Sequence, residues 1–373
     1  MPRKLASIQT IASIESIPNA DNIQVCTFIS VGWQCVINKK DNFKVGDMVV
    51  YCEVDSVLPE KPEFEFLRER KFRIKTIKLR KQVSQGIVFP LSVLSSSGRD
   101  WRVEGEDVTK VLGVIKHDPQ LQEEKALAEQ SRAKSKVLKF FMNFALFRLI
   151  YFRLNRKDKG WPGWISHSDE ERIEQCLSVL KNRPNSEWYI TSKIDGQSAT
   201  YFIETIRKWG ISKLKFGVCS RNIRLSKPDN STYWKMAEKY DIEKKLLLLQ
   251  KSGIVVQAEI TGGKIQDNKY KLPELDMFVF NVIDNGTRYS WGKMVTFCNN
   301  MGFKTVPLIS ESWTFTDADR SSQEIIKEIT EMSIGKSALN KDIWREGIVV
   351  RLKCDPNVSF KKINPEFNLQ YDK

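Results

Sequence analysis

The sequence predicts an α+β protein with a small N-terminal β-barrel, a helical linker and a C-terminal domain of antiparallel sheets. Residues 1–115 contain short strand-like segments with turn signals and no helical period, whereas strands and helices mix from Glu187 onward. In the second half, strands often follow one another without a crossover helix between them, which favours antiparallel pairing. We therefore predict three parts, over residues 1–115, 116–158 and 159–373.

The N-terminal part has the strand content of a small barrel. Its segments 23–37, 48–54 and 86–94 are rich in β-branched and aromatic residues, and glycines mark the turns. The OB-fold is a common way to close several short strands into a barrel. The sequence therefore predicts an N-terminal OB-fold.

The charge of the chain favours a polyanionic partner. Its 60 Lys+Arg and 46 Asp+Glu residues give a formal net charge of +14. An excess of this size favours nucleic acid before a membrane, and a basic surface without a partner is the alternative. The two histidines make a histidine triad or a histidine-rich zinc site a poor explanation. The 7 cysteines form no C-x-x-C pair, which is typical of reduced thiols in an intracellular protein.

A basic row occurs in the N-terminal part. Lys71, Arg73 and Lys75 alternate with Phe72 and Ile74, so an extended strand would carry the charges on one face and the apolar side chains on the other. A solvated charged face explains the alternation equally well. Together with the net charge, the pattern favours a surface that follows phosphates, either those of RNA or those at the pyrophosphate end of ATP.

The middle of the chain changes character. Residues 118–139 are rich in good helix formers, and residues 137–154 are rich in Phe and Leu but interrupted by charged side chains. These charges argue against a membrane-spanning helix, so we predict a helix packed between domains, with a membrane-surface helix as the alternative. Further on, Ser168 precedes a run of acids with Glu171 at the capping-box position, which predicts a helix over residues 168–180.

The candidate chemistry lies at the ends of predicted strands in the C-terminal part. Lys193-Ile194-Asp195-Gly196 follows one strand, and K-x-D-G alone is no more specific than a surface turn. Distant polar groups follow it in order, each at the end or on the face of a strand, as a cleft between sheets requires. They are Ser220-Arg221-Asn222, Glu259 in IVVQAE, Phe280 in DMFVFN, Glu346 in EGIVVR, and Lys361 with Lys362 in SFKKIN.

This ordered series resembles the six motifs of the covalent nucleotidyltransferases, which include ATP-dependent ligases and RNA capping enzymes. The segments WPGWISHSDEERIEQ and SFKKIN are similar to RNA ligases of the RNA ligase 2-like group. The N-terminal segments GDMVVYCEVDSVLP and FRIKTIKLRKQVSQGIVFPL are similar to the clade with an OB domain ahead of the transferase domain. The resemblance implies the ATP-grasp-like ligase fold and an ATP-dependent RNA ligase acting in RNA repair.

The resemblance also implies roles for the motif residues. Lys193 would accept AMP from ATP, and Lys361 would neutralise the α-phosphate and, with a divalent metal, lower the pKa of Lys193. The metal, Mg²⁺ or Mn²⁺, would bind Asp195, Glu259 and Glu346, although either glutamate could instead bind the ribose. The remaining predicted contacts to ATP or AMP come from Ile194, Ser198, Arg221 and Phe280, with Phe280 stacked on adenine unless it only packs in the core.

Some positions depart from the family pattern, and other functions share part of it. Ser198 and Asn281 stand where the family usually has asparagine and aspartate, and Ile363 stands where a second lysine is usual. The alternatives are an mRNA guanylyltransferase or a DNA ligase, which usually carry the OB domain after the transferase domain, and a non-catalytic OB-fold protein that binds nucleic acid. We expect a monomer without a membrane partner, acting on RNA with pre-formed 3′-OH and 5′-phosphate ends.

Overall fold

The computed structural model describes residues 3–117, 160–208, 210–225, 231–317 and 319–372. The predicted linker, with the apolar segment 137–154, lies almost entirely outside these residues, so the predicted domain boundaries stay predictions. Within the described ranges, no helix is both long enough and apolar enough to cross a membrane.

The N-terminal region is a coiled antiparallel sheet with strand order β3-β2-β1-β4-β8. The long strand β1 pairs with β4 through its first half and with β2 through its second half, and its register shifts between Ile11 and Ser13. Such an irregularity lets one strand serve both sides of a curved sheet. The strands are β1 Ala6–Ser16, β2 Ile23–Phe28, β3 Gln34–Asn38, β4 Met48–Cys52, β5 Ser56–Val57, β6 Thr76–Leu79, β7 Gln82–Gln85, β8 Ile87–Pro90 and β9 Ile115–Lys116. A short helix, α1, spans Thr109–Leu112.

The predicted strand through the basic row is wrong. Pro62–Arg70 forms a 3-10 helix, and Lys71 and Phe72 both have left-handed backbone conformations, with φ of 51° and 58°. The amides of these two residues donate to carbonyls of the preceding turn, so the chain cannot be extended there. The alternation of burial nevertheless holds, because Phe72 and Ile74 are buried in the barrel core while Lys71 is exposed.

The C-terminal region consists of two antiparallel sheets. One has the order β18-β10-β19-β20, and the other follows β13-β12-β11-β14-β15-β16, with the short β17 pairing parallel to β15. Their strands are β10 Glu187–Lys193, β11 Gln197–Lys208, β12 Ile211–Cys219, β13 Arg224–Leu225, β14 Ile254–Thr261, β15 Asp276–Asp284, β16 Thr287–Arg288, β17 Lys304–Thr305, β18 Leu308–Thr314, β19 Gly347–Leu352 and β20 Ser359–Ile363.

Helices cover one face of the larger sheet and support the smaller one. The described helices of this region are α2 Ser178–Lys181, α3 Thr232–Lys239, α4 Ile242–Leu247, α5 Trp291–Met301, α6 Ser322–Ser333 and α7 Pro365–Tyr371. Alternate residues of β11 and β14, such as Tyr201 and Val256, pack with α3, α4 and α5. The other face of these strands is therefore left for the cleft between the two sheets.

The helix predicted over residues 168–180 is wrong. Residues 168–171 form no helix; a 3-10 turn spans Ile173–Gln175, and α2 begins only at Ser178. The acids that suggested a helix start are instead paired with distant residues: Asp169 with Arg221, and Glu170 with Arg351. These tertiary ion pairs outweigh the local preference for a capped helix.

The N-terminal sheet is joined to the C-terminal sheets by polar contacts. Gly32 N donates to the carbonyl of Glu174 over 2.8 Å. Helix α7 lies against β6, where Lys78 pairs with Glu366 over 3.4 Å. These contacts bring the two regions together around one cavity.

Candidate active site

A cavity of about 340 Å³ opens between the two C-terminal sheets and the N-terminal region. This volume falls in the range of small-molecule sites. It brings together every residue assigned to nucleotide or metal from the sequence, along with one member of the basic row. These residues are Lys193, Ile194, Asp195, Ser198, Arg221, Glu259, Phe280, Glu346, Lys361 and Arg73.

Lys193 lies at the end of β10, directly opposite Gly347 at the start of β19. This register places the preceding residue, Glu346, beside the lysine, and Lys193 Nζ donates to both carboxylate oxygens over 2.7 Å. Gly347 is required because a Cβ there would lie 2.2 Å from the carbonyl of Lys362. The E-G and K-x-D-G motifs are thus neighbours across one strand pair.

The next strand pair adds the second glutamate. Glu259 on β14 lies opposite Ser198 on β11. Gly196 permits the close approach of these strands, since a Cβ at that position would lie 2.3 Å from the carbonyl of Ile260. Asp195 is held beside them by Lys269, whose Nζ donates to it over 2.6 Å.

In the protein without a metal, the pKa of Lys193 is raised. Burial lowers the pKa of this amine, but Glu346, Glu259 and Asp195 outweigh that effect and raise it above its ordinary value. The lowering predicted from the sequence requires the metal as well as Lys361, because Glu346 alone already binds the ammonium group through both oxygens. In this state Lys193 is a protonated ammonium ion.

Two carboxylates of this cluster, Glu259 and Asp195, have raised pKa values. Burial is the largest cause for Glu259, whose pKa rises to about 8, and the charges of Glu346 and Asp195 add to it. Burial and Glu346 likewise raise the pKa of Asp195 to about 6, against the pull of Lys269. The negative charge of this carboxylate cluster is thus incompletely neutralised by its neighbours.

These carboxylates suit a divalent metal that arrives with phosphates. No three Asp, Glu, His or Cys side chains of the described residues form a ready-made metal cage. Mg²⁺ is ordinarily held by one or two carboxylates together with substrate phosphates, so a preformed cage is not required. Asp195, Glu259 and Glu346 therefore fit the metal role as oxygen donors that need a cation to relieve their repulsion.

Lys361 lies on β20 with the opposite electrostatic setting. Burial lowers its pKa to about 7, and the positive charges of Lys193, Arg172 and Arg221 add to this effect while Asp169 opposes it. The neighbouring Lys362 points away, because its ammonium group is buried in an ion pair with Glu174 at 2.5 Å. Lys362 therefore does not take the place of the second lysine that the family usually has at the position of Ile363.

Arg172 is a site residue that the sequence analysis missed. It lies beside Lys361 through a backbone bridge and lines the cavity. Its Nη2 donates to Asp55 over 2.6 Å, and its guanidinium lies over the ring of Trp33. The buried Nε and Nη1 find no hydrogen-bond partner among the described residues. Buried guanidinium donors without a partner indicate a place for an anion.

Arg221 and Ser198 are tied to the segment before the 3-10 turn. Arg221 Nη2 donates to Asp169 over 2.8 Å, and Ser198 Oγ shares a hydrogen bond of 2.9 Å with Ser168. Asn281, by contrast, is buried and bonds Gln257 over 2.9 Å, so it supports the sheet.

Phe280 is positioned to present a ring face to the cavity. It is half-buried at the edge of an apolar cluster that includes Ile194, Phe278 and Val306. Phe280 thus belongs to both the apolar cluster and the cavity wall, which suits stacking on a nucleobase as well as core packing.

The N-terminal region contributes a basic wall to the same cavity. Arg73 binds Asp372 through both terminal nitrogens, over 3.0 and 2.9 Å, and also donates to Asp55. Arg3, Lys116 and His117 lie on the same wall. Lys71 and Lys75 do not line the cavity, so the basic row is divided between the site and the outer surface.

The chain matches two family models. A model described as RNA ligase matches residues 186–363, and a model described as an OB-fold domain matches residues 5–91. Among curated protein sequences, none matches the chain significantly.

Solved structures of an RNA ligase from Naegleria gruberi share the fold over the whole chain. A variant with ATP and Mn is 25% identical, with 100% of both chains covered and a TM-score of 0.76. An apo variant is 26% identical, with 99% of this chain and 98% of that chain covered and a TM-score of 0.75. The structure with PPi is 26% identical, covering 98% of each chain with a TM-score of 0.74. The predicted fold class, with an N-terminal OB-fold, is confirmed.

Proposed function

We propose that the chain is an ATP-dependent RNA ligase acting in RNA repair, because residues 186–363 match the RNA ligase model. The observation that carries the proposal is the position of Lys193, 2.7 Å from both oxygens of Glu346. It shares its cavity with Lys361, Arg172 and Phe280. The site thus holds a nucleophile, carboxylates for a metal, cations for phosphates and a ring for a base.

In the first step Lys193 takes AMP from ATP. The ammonium must first lose its proton, after which the Nζ lone pair attacks the α-phosphorus. A P–N bond forms, the bond from that phosphorus to the bridging oxygen breaks, and pyrophosphate leaves with the electron pair. A divalent metal held by Asp195, Glu259 and Glu346 would supply positive charge that lowers the pKa of the amine and stabilises the phosphates.

The cations of the cavity stabilise the charge that develops on the phosphates. Lys361 lines the same cavity as Lys193 and serves the α-phosphate, where electrostatic stabilisation has its largest effect. Arg172 offers two buried N–H donors without a partner among the described residues, and a guanidinium fork suits phosphate oxygens. Phe280 and Ile194 bind the adenine, with Ser198 and Arg221 completing the pocket.

Two further transfers complete the reaction. The AMP passes from Lys193 to the 5′-phosphate of RNA, which breaks the P–N bond and forms a new pyrophosphate linkage. The RNA 3′-OH then attacks that 5′-phosphate, loses its proton and expels AMP. The ends are thus a 3′-OH and a 5′-phosphate formed by other enzymes.

The N-terminal wall serves the pyrophosphate end of ATP. Arg73 lies in the cavity and binds the Asp372 carboxylate through both terminal nitrogens, the geometry in which it would bind a phosphate. Lys71 is exposed outside the cavity, so it and Lys75 remain candidates for RNA phosphates instead. We therefore divide the basic row between the two roles that the sequence left open, the binding of ATP phosphates and the binding of RNA phosphates.

The cysteines indicate the kind of compartment in which the enzyme acts. Its 7 cysteines are free, and six of them are buried, as expected of an intracellular protein. We propose that it acts as a monomer on RNA away from membranes.

Incubation with α-labelled ATP or GTP tests this function against its alternatives. Label that joins the protein from ATP alone supports a ligase, and label from GTP alone supports a guanylyltransferase. Sealing of RNA but not DNA ends separates an RNA ligase from a DNA ligase. A protein that binds RNA yet takes label from neither nucleotide is the non-catalytic alternative, and the proposal fails.

A further inference from the structure

The turn over residues 160–168, which we call the aromatic turn, carries exposed rings outside the nucleotide cavity. Trp164 is 44% exposed, and its ring meets that of Phe202 edge to face at 5.7 Å. Trp161 stacks on His167 with the ring centroids 4.3 Å apart, and His167 is exposed. The turn thus presents the rings of Trp164 and His167 to solvent.

The aromatic turn is held rigidly on the sheet. Trp161 Nε1 donates to the carbonyl of Ile165 over 2.6 Å, and Gln257 Nε2 on β14 donates to the carbonyl of Ser166 over 2.9 Å. Ile165 is buried with Phe202 in a small apolar cluster. A rigid exposed aromatic loses little conformational entropy when it binds a flat ligand.

The aromatic turn is continuous with the candidate active site. The residue after His167 is Ser168, whose hydroxyl bonds Ser198, and Ser198 lies opposite Glu259. From Ser198 to Phe202 is four residues along one strand face, or roughly 13 Å at 3.3 Å per residue. The same distance spans about four nucleotides of a strand whose bases stay stacked at the helical rise of roughly 3.4 Å each.

Cations extend this face beyond the rings. Phe202 on β11 pairs with Gly217, and the next residues of β12 on the same face are Lys215 and Lys213. Both lysines are exposed. Aromatic surfaces followed by lysines, on a chain of net charge +14, are the arrangement by which proteins hold unpaired nucleic acid.

We propose that the aromatic turn stacks one unpaired RNA base, three to five nucleotides from the joint, and so positions the RNA end over Lys193. The inference rests on the proposed function. Stacking on Trp164 and His167 binds the base, while Lys213 and Lys215 contact the backbone beyond it. The site thus favours a substrate that is single-stranded at this position over a fully paired nicked duplex.

The test compares Trp164→Ala/His167→Ala with the wild-type enzyme and with Leu248→Ala. Leu248 is equally suited to truncation, being 72% exposed, but follows α4 on the opposite face of the sheet. Lysyl-AMP formation from ATP without RNA is measured first, and all three proteins should form it equally. If the wild type forms none, the proposed function fails. The measurement of RNA affinity tests this inference separately.

RNA affinity is then measured with RNA carrying a single abasic site at each position near the joint. The double variant should bind intact unpaired RNA about 5- to 150-fold more weakly, with an unchanged salt slope, and Trp164→Phe with His167 intact should recover most of the loss. Wild-type enzyme should lose the same factor with RNA abasic three to five nucleotides from the joint, where the variant loses nothing more. Unchanged affinity, an equal loss at every position, or an equal loss on fully paired nicked RNA would overturn the inference.

Discussion

The two ends of the active-site cavity are built with opposite charge. At the transferase end, Lys193 is surrounded by Glu346, Glu259 and Asp195, and its pKa is raised. At the OB-fold end, Arg3, Arg73 and Arg172 converge on Asp55, whose own pKa is lowered by these cations despite its burial. Carboxylates therefore dominate at the transferase end, and cations dominate at the OB-fold end.

This difference in charge favours the binding of ATP in a single orientation. A nucleotide with its metal brings positive charge to the acidic end and phosphate oxygens to the basic end. Asp55 and Asp372 occupy the arginines in the protein alone, as phosphates would in the complex. In the orientation that we propose, the α-phosphate would lie next to Lys193 and the leaving pyrophosphate toward the OB-fold.

Removing the acidic end should have the largest effect. Glu346→Ala deletes the carboxylate that holds Lys193, and with it a ligand for the metal or the ribose. Loss of one such electrostatic contact commonly lowers a rate by about 10²–10³. Single-turnover formation of lysyl-AMP measures this loss, and a folded variant that adenylates at the wild-type rate would show that the pocket is misplaced.

Lys361→Ala should slow the same step by a similar factor or somewhat less, because it removes the cation beside the α-phosphate. Lys353→Ala is the matched control, since that lysine lies beyond the end of β19 and pairs with Glu187 at the surface. If both variants retain full adenylation, Lys361 has no part in the chemistry.

At the junction of the two ends, Arg172→Ala should slow adenylation by about 10- to 150-fold, the range for a hydrogen bond to a charged group. The thermal midpoint must be measured alongside, because Arg172 also bonds Asp55 between the two regions. The KM for ATP should rise even where stability is restored by lower temperature. A loss of activity that follows stability alone would assign Arg172 a purely structural role.

The smallest effect separates the members of the basic row. Arg73→Ala should slow adenylation several-fold and leave the sealing of pre-adenylated RNA unchanged, because pyrophosphate is the leaving group only in the first step. Lys71→Ala, outside the cavity, should leave adenylation unchanged and, if it binds RNA, lower the salt slope of RNA binding by about one. Equal behaviour of the two variants would contradict the division of the row.

Local patterns sufficed for much of the site because its parts are single residues at strand ends. The resemblance to the family motifs singles out Lys193, Glu259 and Glu346, and the strand register brings them together. The strands predicted around them are confirmed. Strand periodicity is a property of short segments, so the sequence contains it directly.

The remaining features depend on contacts that are distant in sequence. Arg172 was missed because its acidic neighbours resemble a helix start, while their true partners lie far along the chain. The left-handed backbone at Lys71 and Phe72 depends on hydrogen bonds to the preceding turn. The sign of the Lys193 pKa shift needed the knowledge that Glu346 lies directly beside it.

The location of the covalent label shows which lysine is the nucleophile. Wild-type enzyme, Lys193→Ala and Lys269→Ala are incubated with α-labelled ATP and metal, and the labelled peptide is identified. Lys269 is the matched control because it lines the same cavity but is paired with Asp195. We predict label on Lys193 in the wild type, retained label in Lys269→Ala, and no label in Lys193→Ala, which should still seal pre-adenylated RNA. Label retained by Lys193→Ala, or label mapped to another residue of the wild type, would contradict the account.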